Sequence, residues 1–411
     1  MTKQPMLKSF RLKNFKAIRD SGVVKFSPLT ALIGDNGSGK SSLVEGLQTY
    51  QRITNTKDGL DEAMQMWRGF EYVHNPPLHS GHLREDNMAT ISPIEFELSG
   101  LHVSPISQNN EAASYRTIMK VNKEPSTDLI FIEKENVYYK GRKVLERDSK
   151  GVIQYINKKM EFGIRPGDAI ISRGGLYYYA KGLEDDEQFR DLMGYGIRFN
   201  WQFFTLNPWI IGEPQPIQRT AGAIRLRSNG SNIAEYLHHI LEWYPETFEG
   251  ILEALKYVLP YMRDLKPVLT GFLGHQMHLE MTEDDFKVMG WLLSTGTLRL
   301  LALLALFRHP EPPPLIVIEE IENGLDPRTI HLIVDEIQDL VESGLSQVIV
   351  TTHSPYLLDL LPLSTIVLVE RGEFGPTFSR PADDDSIQNW SKKFAPGKLY
   401  TMGNLNRHLA L

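Results

Sequence analysis

The stretch Gly34-Asp35-Asn36-Gly37-Ser38-Gly39-Lys40-Ser41 constrains this chain more than any other feature. It fits G-x-x-x-x-G-K-[ST], and its neighbours matter as much as its letters. LTALIG (29–34) before it reads as a buried strand, and LVEGLQTYQRI (43–53) after it has helical periodicity. A glycine loop between strand and helix lets successive backbone N–H groups turn inward. The helix start adds partial positive charge, so the segment is shaped for phosphate. Asn36, Gly37, Ser38, Gly39, Lys40, Ser41 and Ser42 are the candidate contacts. Lys40 would bridge the β- and γ-phosphates of a nucleoside triphosphate, and the Ser41 hydroxyl would ligate Mg²⁺. The plain alternative, a glycine-rich turn with a chance lysine, leaves the strand–loop–helix context unexplained.

The rest of the chain divides by pattern. LKSFRLKNF (7–15) and VVKF (23–26) read as strands. PIEFEL (93–98), YRTIMKVN (115–122) and DLIFIEK (128–134) alternate as antiparallel strands do, and HQMHLEM (275–281) returns to that pattern. NIAEYLHHILEWY and FEGILEALKYVL read as amphipathic helices. From about residue 286, helices alternate with strong strands: LIVIEE (315–320), PRTIHLIVDEIQDLV, QVIVTTH (347–353), PYLLDLL and TIVLVE (365–370). Such alternation predicts a mainly parallel sheet with helices on its faces, an α/β fold. PEPPP (310–314) is a rigid lead into the LIVIEE strand.

That strand carries Glu319 and Glu320 to its C-terminal tip, the edge where open α/β sheets bind ligands. Neighbouring residues on a strand point to opposite faces, so the two carboxylates divide their work. Glu319 is assigned to the Mg²⁺ shell and Glu320 to a water near the γ-phosphate. Asp326 before Pro327 is a helix N-cap, and capping alone accounts for an aspartate there. Ser354 and Pro355 repeat the form, which leaves His353 at a strand tip directly before a cap. A structural histidine is the plain reading; a strand tip next to the acidic one is the reason to consider more.

LLSTGTLRLLALLALF (292–307) sets Ser294, Thr295, Gly296 and Thr297, hydroxyls around a glycine, before an almost unbroken apolar run. A hydroxyl–glycine turn opening a helix is a second anion site. Since one phosphate loop is already present, it requires a second phosphate or a second molecule. The whole order resembles ATP-binding-cassette ATPases, closest to the RecF/SMC/OLD-like branch: LKNFKAI (12–18), the phosphate loop, S-x-G-T-L-R at 294–299, the acidic strand, Asp326 and His353. Within that branch the chain looks like compact stand-alone ATPases, many of which lie in bacterial anti-phage operons.

The resemblance implies an ABC-ATPase head with a mainly parallel phosphate-loop sheet, an antiparallel β subdomain and a helical insertion. Its segments would be 1–55 (head, with the loop), 56–285 (antiparallel strands and helical insertion), 286–375 (head, with signature, acidic strand and histidine) and 376–411 (tail on the head). It implies ATP and Mg²⁺ as cofactors and Glu320, Lys40 and His353 as catalytic residues. Ser294, Gly296 and Thr297 would contact the γ-phosphate held by a second copy, Asp326 would couple the two sites, and Lys16 would lie near the adenine. Gln48 and Gln51 are candidates for the glutamine loop. Thr295 replaces a glycine of the transporter signature L-S-G-G-Q.

Composition narrows the function. A net charge of −7 argues against coating nucleic acid by charge alone. The absence of cysteine removes disulfides, thiolate zinc sites and thiol nucleophiles, and fits a reducing compartment. No stretch reaches the roughly 18 consecutive apolar residues of a membrane span. The expectation is a cytoplasmic ATPase that dimerises around ATP and regulates a separately encoded effector in phage defence. The alternative is a DNA-binding RecF-like maintenance ATPase, using Arg219, Arg225, Arg227 and the aromatics of GLYYYAKGL (175–183), residues that a plain reading makes surface arginines and core tyrosines. A transporter subunit is disfavoured by LKNFKAI, the variant signature and the long middle segment.

Overall fold

The computed structural model describes residues 6–56, 58–75, 92–103, 112–155, 160–163, 165–170, 199–217, 224–270 and 275–405. GLYYYAKGL and Arg219 lie outside them. The chain divides into two compact units, one of Met1–Ser27, Ile33–Trp201 and Val367–Arg380, the other of Pro28–Leu32, Gln202–Ile366 and Pro381–Leu411.

Unit one is built on an antiparallel sheet. Its strands are β1 (Met6–Phe15), β2 (Ile18–Asp20), β3 (Val24–Lys25), β5 (Ile94–Val103), β6 (Ala112–Lys123), β7 (Ile130–Tyr139), β8 (Arg142–Arg147), β9 (Val152–Tyr155) and β10 (Met160–Gly163). They run in the order β10-β9-β8-β7-β6-β5-β1-β2, with β3 against β1. LKNFKAI is not one strand: β1 turns back into β2 through Asn14 and Lys16, whose φ angles are 57° and 47°. Helix α1 (Lys40–Asn55) buries Leu43, Val44, Leu47, Tyr50 and Ile53. Gly46 lets it close on the sheet, since a Cβ there would come within 2.3 Å of Leu12. Tyr50 sets its ring 6.0 Å from that of Phe96 and shares a 2.6 Å hydrogen bond with the Thr117 hydroxyl. Helix α2 (Gly59–Met66) packs on α1. The hairpin of β18 (Ile366–Gly372) and β19 (Gly375–Ser379) supplies the remaining residues.

The strands β4 (Leu29–Ile33), β11 (Trp201–Phe204), β16 (Leu315–Ile318) and β17 (Gln347–Thr352), ordered β11-β16-β17-β4, fall in unit two apart from the end residues Ile33 and Trp201. β16 and β17 are parallel, from Leu315 opposite Gln347 to Ile318 opposite Val350, and every residue of both is buried. Continuous apolar runs are what a sheet covered on both faces demands. Helix α6 (Thr295–Phe307) is buried at every position from Thr297 onward, as a helix apolar all round must be. Around it lie α3 (Pro208–Ile211), α4 (Ile233–Trp243), α5 (Pro245–Val258) and α7 (Pro327–Glu342), and α8 (Pro355–Asp359) packs on α7. A small antiparallel sheet of β12 (Gln215–Pro216), β13 (Met262–Thr270), β14 (Gln276–Glu283) and β15 (Phe286–Met289) packs on α4 and α5. The tail forms α9 (Asp385–Ser391) and α10 (Pro396–Thr401), and Asp359 on α8 accepts the Gly397 N–H at 2.7 Å. This is the mixed α/β architecture predicted from the sequence. No described helix is long and apolar enough to cross a membrane.

Candidate nucleotide site

In unit one the phosphate loop follows β4 without a break, and α1 begins at Lys40. Gly37 and Gly39 sit at φ 75° and 113°, where a side chain is strained. Gly39 also has no room: a Cβ would fall 2.3 Å from Pro376 on β19. Gly34 is equally tight, its would-be Cβ 2.0 Å from the Val369 carbonyl. The loop is thus laid against the hairpin, and Arg371 there donates to the Gly37 carbonyl at 3.1 Å. Lys40 is buried and turns its ammonium inward, donating to the carbonyls of Gly34 at 2.7 Å and Asp35 at 3.0 Å. The Ser38 hydroxyl is buried with no partner. An inward ammonium and an unsatisfied hydroxyl in a glycine-lined curl fit a phosphate group.

Lys16 lies in the same unit, but its charge is engaged. Nζ pairs with Glu45 on α1 at 2.8 Å and sits 3.4 Å from the centre of the Trp67 ring. Gln51 is engaged too, its amide donating to the carbonyls of Phe199 at 2.5 Å and Trp201 at 2.8 Å.

In unit two the remaining predicted residues gather around the chain that leaves β16. The strand stops at Ile318, two residues short of the LIVIEE prediction. Glu319 still bonds through its N–H to Phe204, but Glu320 turns to φ 48°. The division of the two carboxylates by strand alternation therefore does not hold, because a turn rather than pleat geometry aims Glu320. Its N–H donates to the Thr351 hydroxyl at 2.9 Å, and its carboxylate accepts from Asn323 at 2.8 Å. Glu319 is half-buried and Glu320 exposed.

Ser294 caps α6, accepting from the Thr297 N–H at 3.1 Å and sharing a 2.8 Å bond with its hydroxyl. Gly296 meets the chain after the acidic pair, a Cβ there falling 2.6 Å from the Gly324 carbonyl. Asp326 caps α7 through the N–H groups of Arg328 and Thr329 and the Thr329 hydroxyl. That hydroxyl, with the two N–H groups, holds its carboxyl below the usual range. His353 follows β17, and its N–H donates to Glu322 at 2.6 Å.

Two residues here were given no role by the sequence reading, although Arg299 closes the S-x-G-T-L-R stretch. Glu322 ties the His353 backbone to the acidic turn, and Arg299 on α6 donates to the carbonyls of Glu319 at 3.3 Å and Glu320 at 2.5 Å. The available signal for Arg299 was a lone charge in a helix otherwise apolar after its first turn. Among the described residues no three His, Asp or Glu side chains are grouped to hold a metal. Mg²⁺ bound with nucleotide needs only one or two side chains, because phosphates and waters supply the rest. Each unit carries one residue of a suitable kind, Ser41 in unit one and Glu319 in unit two.

Two families match. One, described as "AAA domain, putative AbiEii toxin, Type IV TA system", covers residues 212–359. The other, described as "AAA ATPase domain", covers residues 6–140. The second contains the phosphate loop; the first contains the signature turn, the acidic turn and His353. They support an ABC-type P-loop ATPase. Among solved structures, the SMC head bound to the C-terminal winged-helix domain of ScpA is 15% identical with a TM-score of 0.52, over 91% of this chain and 96% of that one. An SMC head with an extended coiled coil, bound to the C-terminal domain of ScpA derived from Pyrococcus furiosus, is 14% identical with a TM-score of 0.48, over 95% and 100%. The SMC head domain from Thermotoga maritima is 15% identical with a TM-score of 0.44, over 91% and 98%. The first likeness shows an ABC-ATPase-like fold. None of the curated proteins matches.

Proposed function

We propose that this chain is an ATP-binding and ATP-hydrolysing ABC-type ATPase that dimerises around ATP. The observation that carries the reading is the loop, with the Lys40 ammonium turned inward beside the unpartnered Ser38 hydroxyl. In this reading Lys40 offsets charge on the β- and γ-phosphates. Mg²⁺, when bound, supplies further charge neutralisation, held by Ser41 and Glu319. Glu320 orients the water whose oxygen attacks the γ-phosphorus as the bond to ADP breaks. His353 senses the γ-phosphate. Ser294, Gly296 and Thr297 reach the γ-phosphate bound by the other copy, and Asp326 couples the two sites. Charge-assisted hydrogen bonds of about 1.5–3 kcal/mol each, repeated at two nucleotides, would hold an interface that nucleotide-free copies lack.

In a second step, which rests on the resemblance to compact stand-alone ATPases of anti-phage operons, the dimer regulates a separately encoded effector. Glu320→Gln tests the core of the proposal. It should bind ATP, hydrolyse it at least about 100-fold more slowly, and accumulate as a dimer by light scattering. A Glu320→Gln protein that stays monomeric at saturating ATP removes the dimer, and a wild-type chain without ATP turnover removes the ATPase.

A further inference from the structure

Arg299 is the single charge in the thirteen residues of α6 and is only 3% exposed. Its guanidinium reaches three carbonyls on two segments: Leu206 at 3.2 Å, Glu319 at 3.3 Å and Glu320 at 2.5 Å. Burial pulls its pKa down, and the carboxylates of Glu322 and Glu320 oppose that pull. Such a group is retained in a core only where its donors are used. Two of its three nitrogens are used, and Nη2 reaches the one residue of this segment with a Cβ held at positive φ, Glu320 at 48°. A side chain stays in that region when its surroundings over-determine it. Here the surroundings are Arg299 on the Glu320 carbonyl, the Thr351 hydroxyl on its N–H, and Asn323 on its carboxylate. Two residues further, Glu322 holds the His353 N–H with one oxygen. Its other oxygen and the Arg299 Nε are both buried without a partner.

We infer that Arg299 is a positioning residue: it fixes the backbone that aims the Glu320 carboxylate, and through α6 it ties that carboxylate to the Ser294–Thr297 turn of the same copy. The inference rests on the proposed ATPase function for its catalytic consequence. In a dimer, the signature turn serves one nucleotide and Glu320 the other. Arg299 stands little more than one helical turn from the signature residues, and Gly296 touches the Gly324 carbonyl of the same acidic segment. A shift of α6 on engaging a γ-phosphate would therefore pass to the water-orienting carboxylate of the opposite site. Arg299 itself touches no substrate.

The test uses the full chain as wild type, Arg299→Met and Arg299→Lys. Without nucleotide, amide hydrogen exchange at residues 320–323 should rise about tenfold or more in Arg299→Met, while α4 and α5 keep their protection. With ATP, kcat should fall about 30-fold with KM within about threefold of wild type, and Arg299→Lys should recover part of the loss. In the Glu320→Gln background, Arg299→Met should cost nothing further in kcat, because groups acting as one unit are not additive. If Arg299→Met does not fold, Thr351→Val, which removes the hydroxyl on the Glu320 N–H, should produce the same rise in exchange and the same non-additivity. Unchanged exchange at 320–323 overturns the inference, and so does a loss that multiplies with that of Glu320→Gln. The exchange measurement needs no nucleotide, so it decides the role of Arg299 even if wild type proves inactive and the ATPase reading falls.

Discussion

Helices α1 and α6 both open on a turn suited to phosphate, yet they finish their first turns in opposite ways. No side chain caps α1; its loop holds a left-handed glycine and leaves the Ser38 hydroxyl buried and unpartnered. On α6 the two hydroxyls satisfy each other and the backbone, Ser294 capping Thr297. The first terminus leaves a buried hydroxyl unsatisfied. The second is complete by itself and offers an exposed serine. That difference is what one would expect of a primary phosphate site and of an accessory turn that meets its ligand only on a second molecule.

Removing the charge at the first terminus is the hardest test of the contrast. Lys40→Ala should weaken ATP binding by about 100-fold or more by equilibrium titration, since two charge-assisted contacts to phosphate are lost. Retained affinity would mean that the loop is no primary site. The glycines come next. Gly39→Ala places a methyl against Pro376 at a positive φ, costing about 1–2 kcal/mol in the backbone and about 1–3 kcal/mol in overpacking. Gly37→Ala meets open space and pays only the backbone cost, about 1–2 kcal/mol. Denaturant unfolding should rank them in that order; equal losses would show that the hairpin does not press on the loop.

The two serines sharpen the comparison because they should move stability differently. Ser294→Ala removes a used cap and should lower nucleotide-free stability by about 1 kcal/mol while leaving ATP affinity of the monomer unchanged. Ser38→Ala removes a hydroxyl that is buried without a partner, so stability should hold or rise while ATP affinity falls. A destabilising Ser38→Ala would mean that its hydroxyl is already satisfied in the free protein.

How far the sequence could be read follows the same divide. The phosphate loop was legible because its chemistry is local: glycines at fixed spacing, a lysine at the helix start, a strand before it. The caps at Asp326 and Ser354 were legible for the same reason. The apolar run announced the burial of α6. What could not be read depends on partners distant in the chain. The turn at Glu320 is held by Arg299 and Thr351, 21 and 31 residues away, and no propensity marks a glutamate for positive φ. The strand was therefore carried two residues too far. Lys16 was assigned from its motif, whereas its pairing with Glu45 and Trp67 required the fold of unit one.

The smallest effect concerns the second cap beside the acidic turn. The Thr329 hydroxyl, followed by the N–H groups of Thr329 and Arg328, lowers the Asp326 pKa. A carboxyl lowered on folding stabilises the native state above its unfolded pKa, and that contribution disappears as pH falls through the folded value. Asp326→Asn keeps an N-cap acceptor but cannot ionise. Its stability deficit should be a few tenths of a kcal/mol at neutral pH, since the site is largely exposed, and should vanish on acidification below the ordinary carboxylate range. Paired denaturant titrations of the two proteins at several pH values read this directly. A deficit that persists in acid would mean that shape, rather than charge, holds the turn before α7.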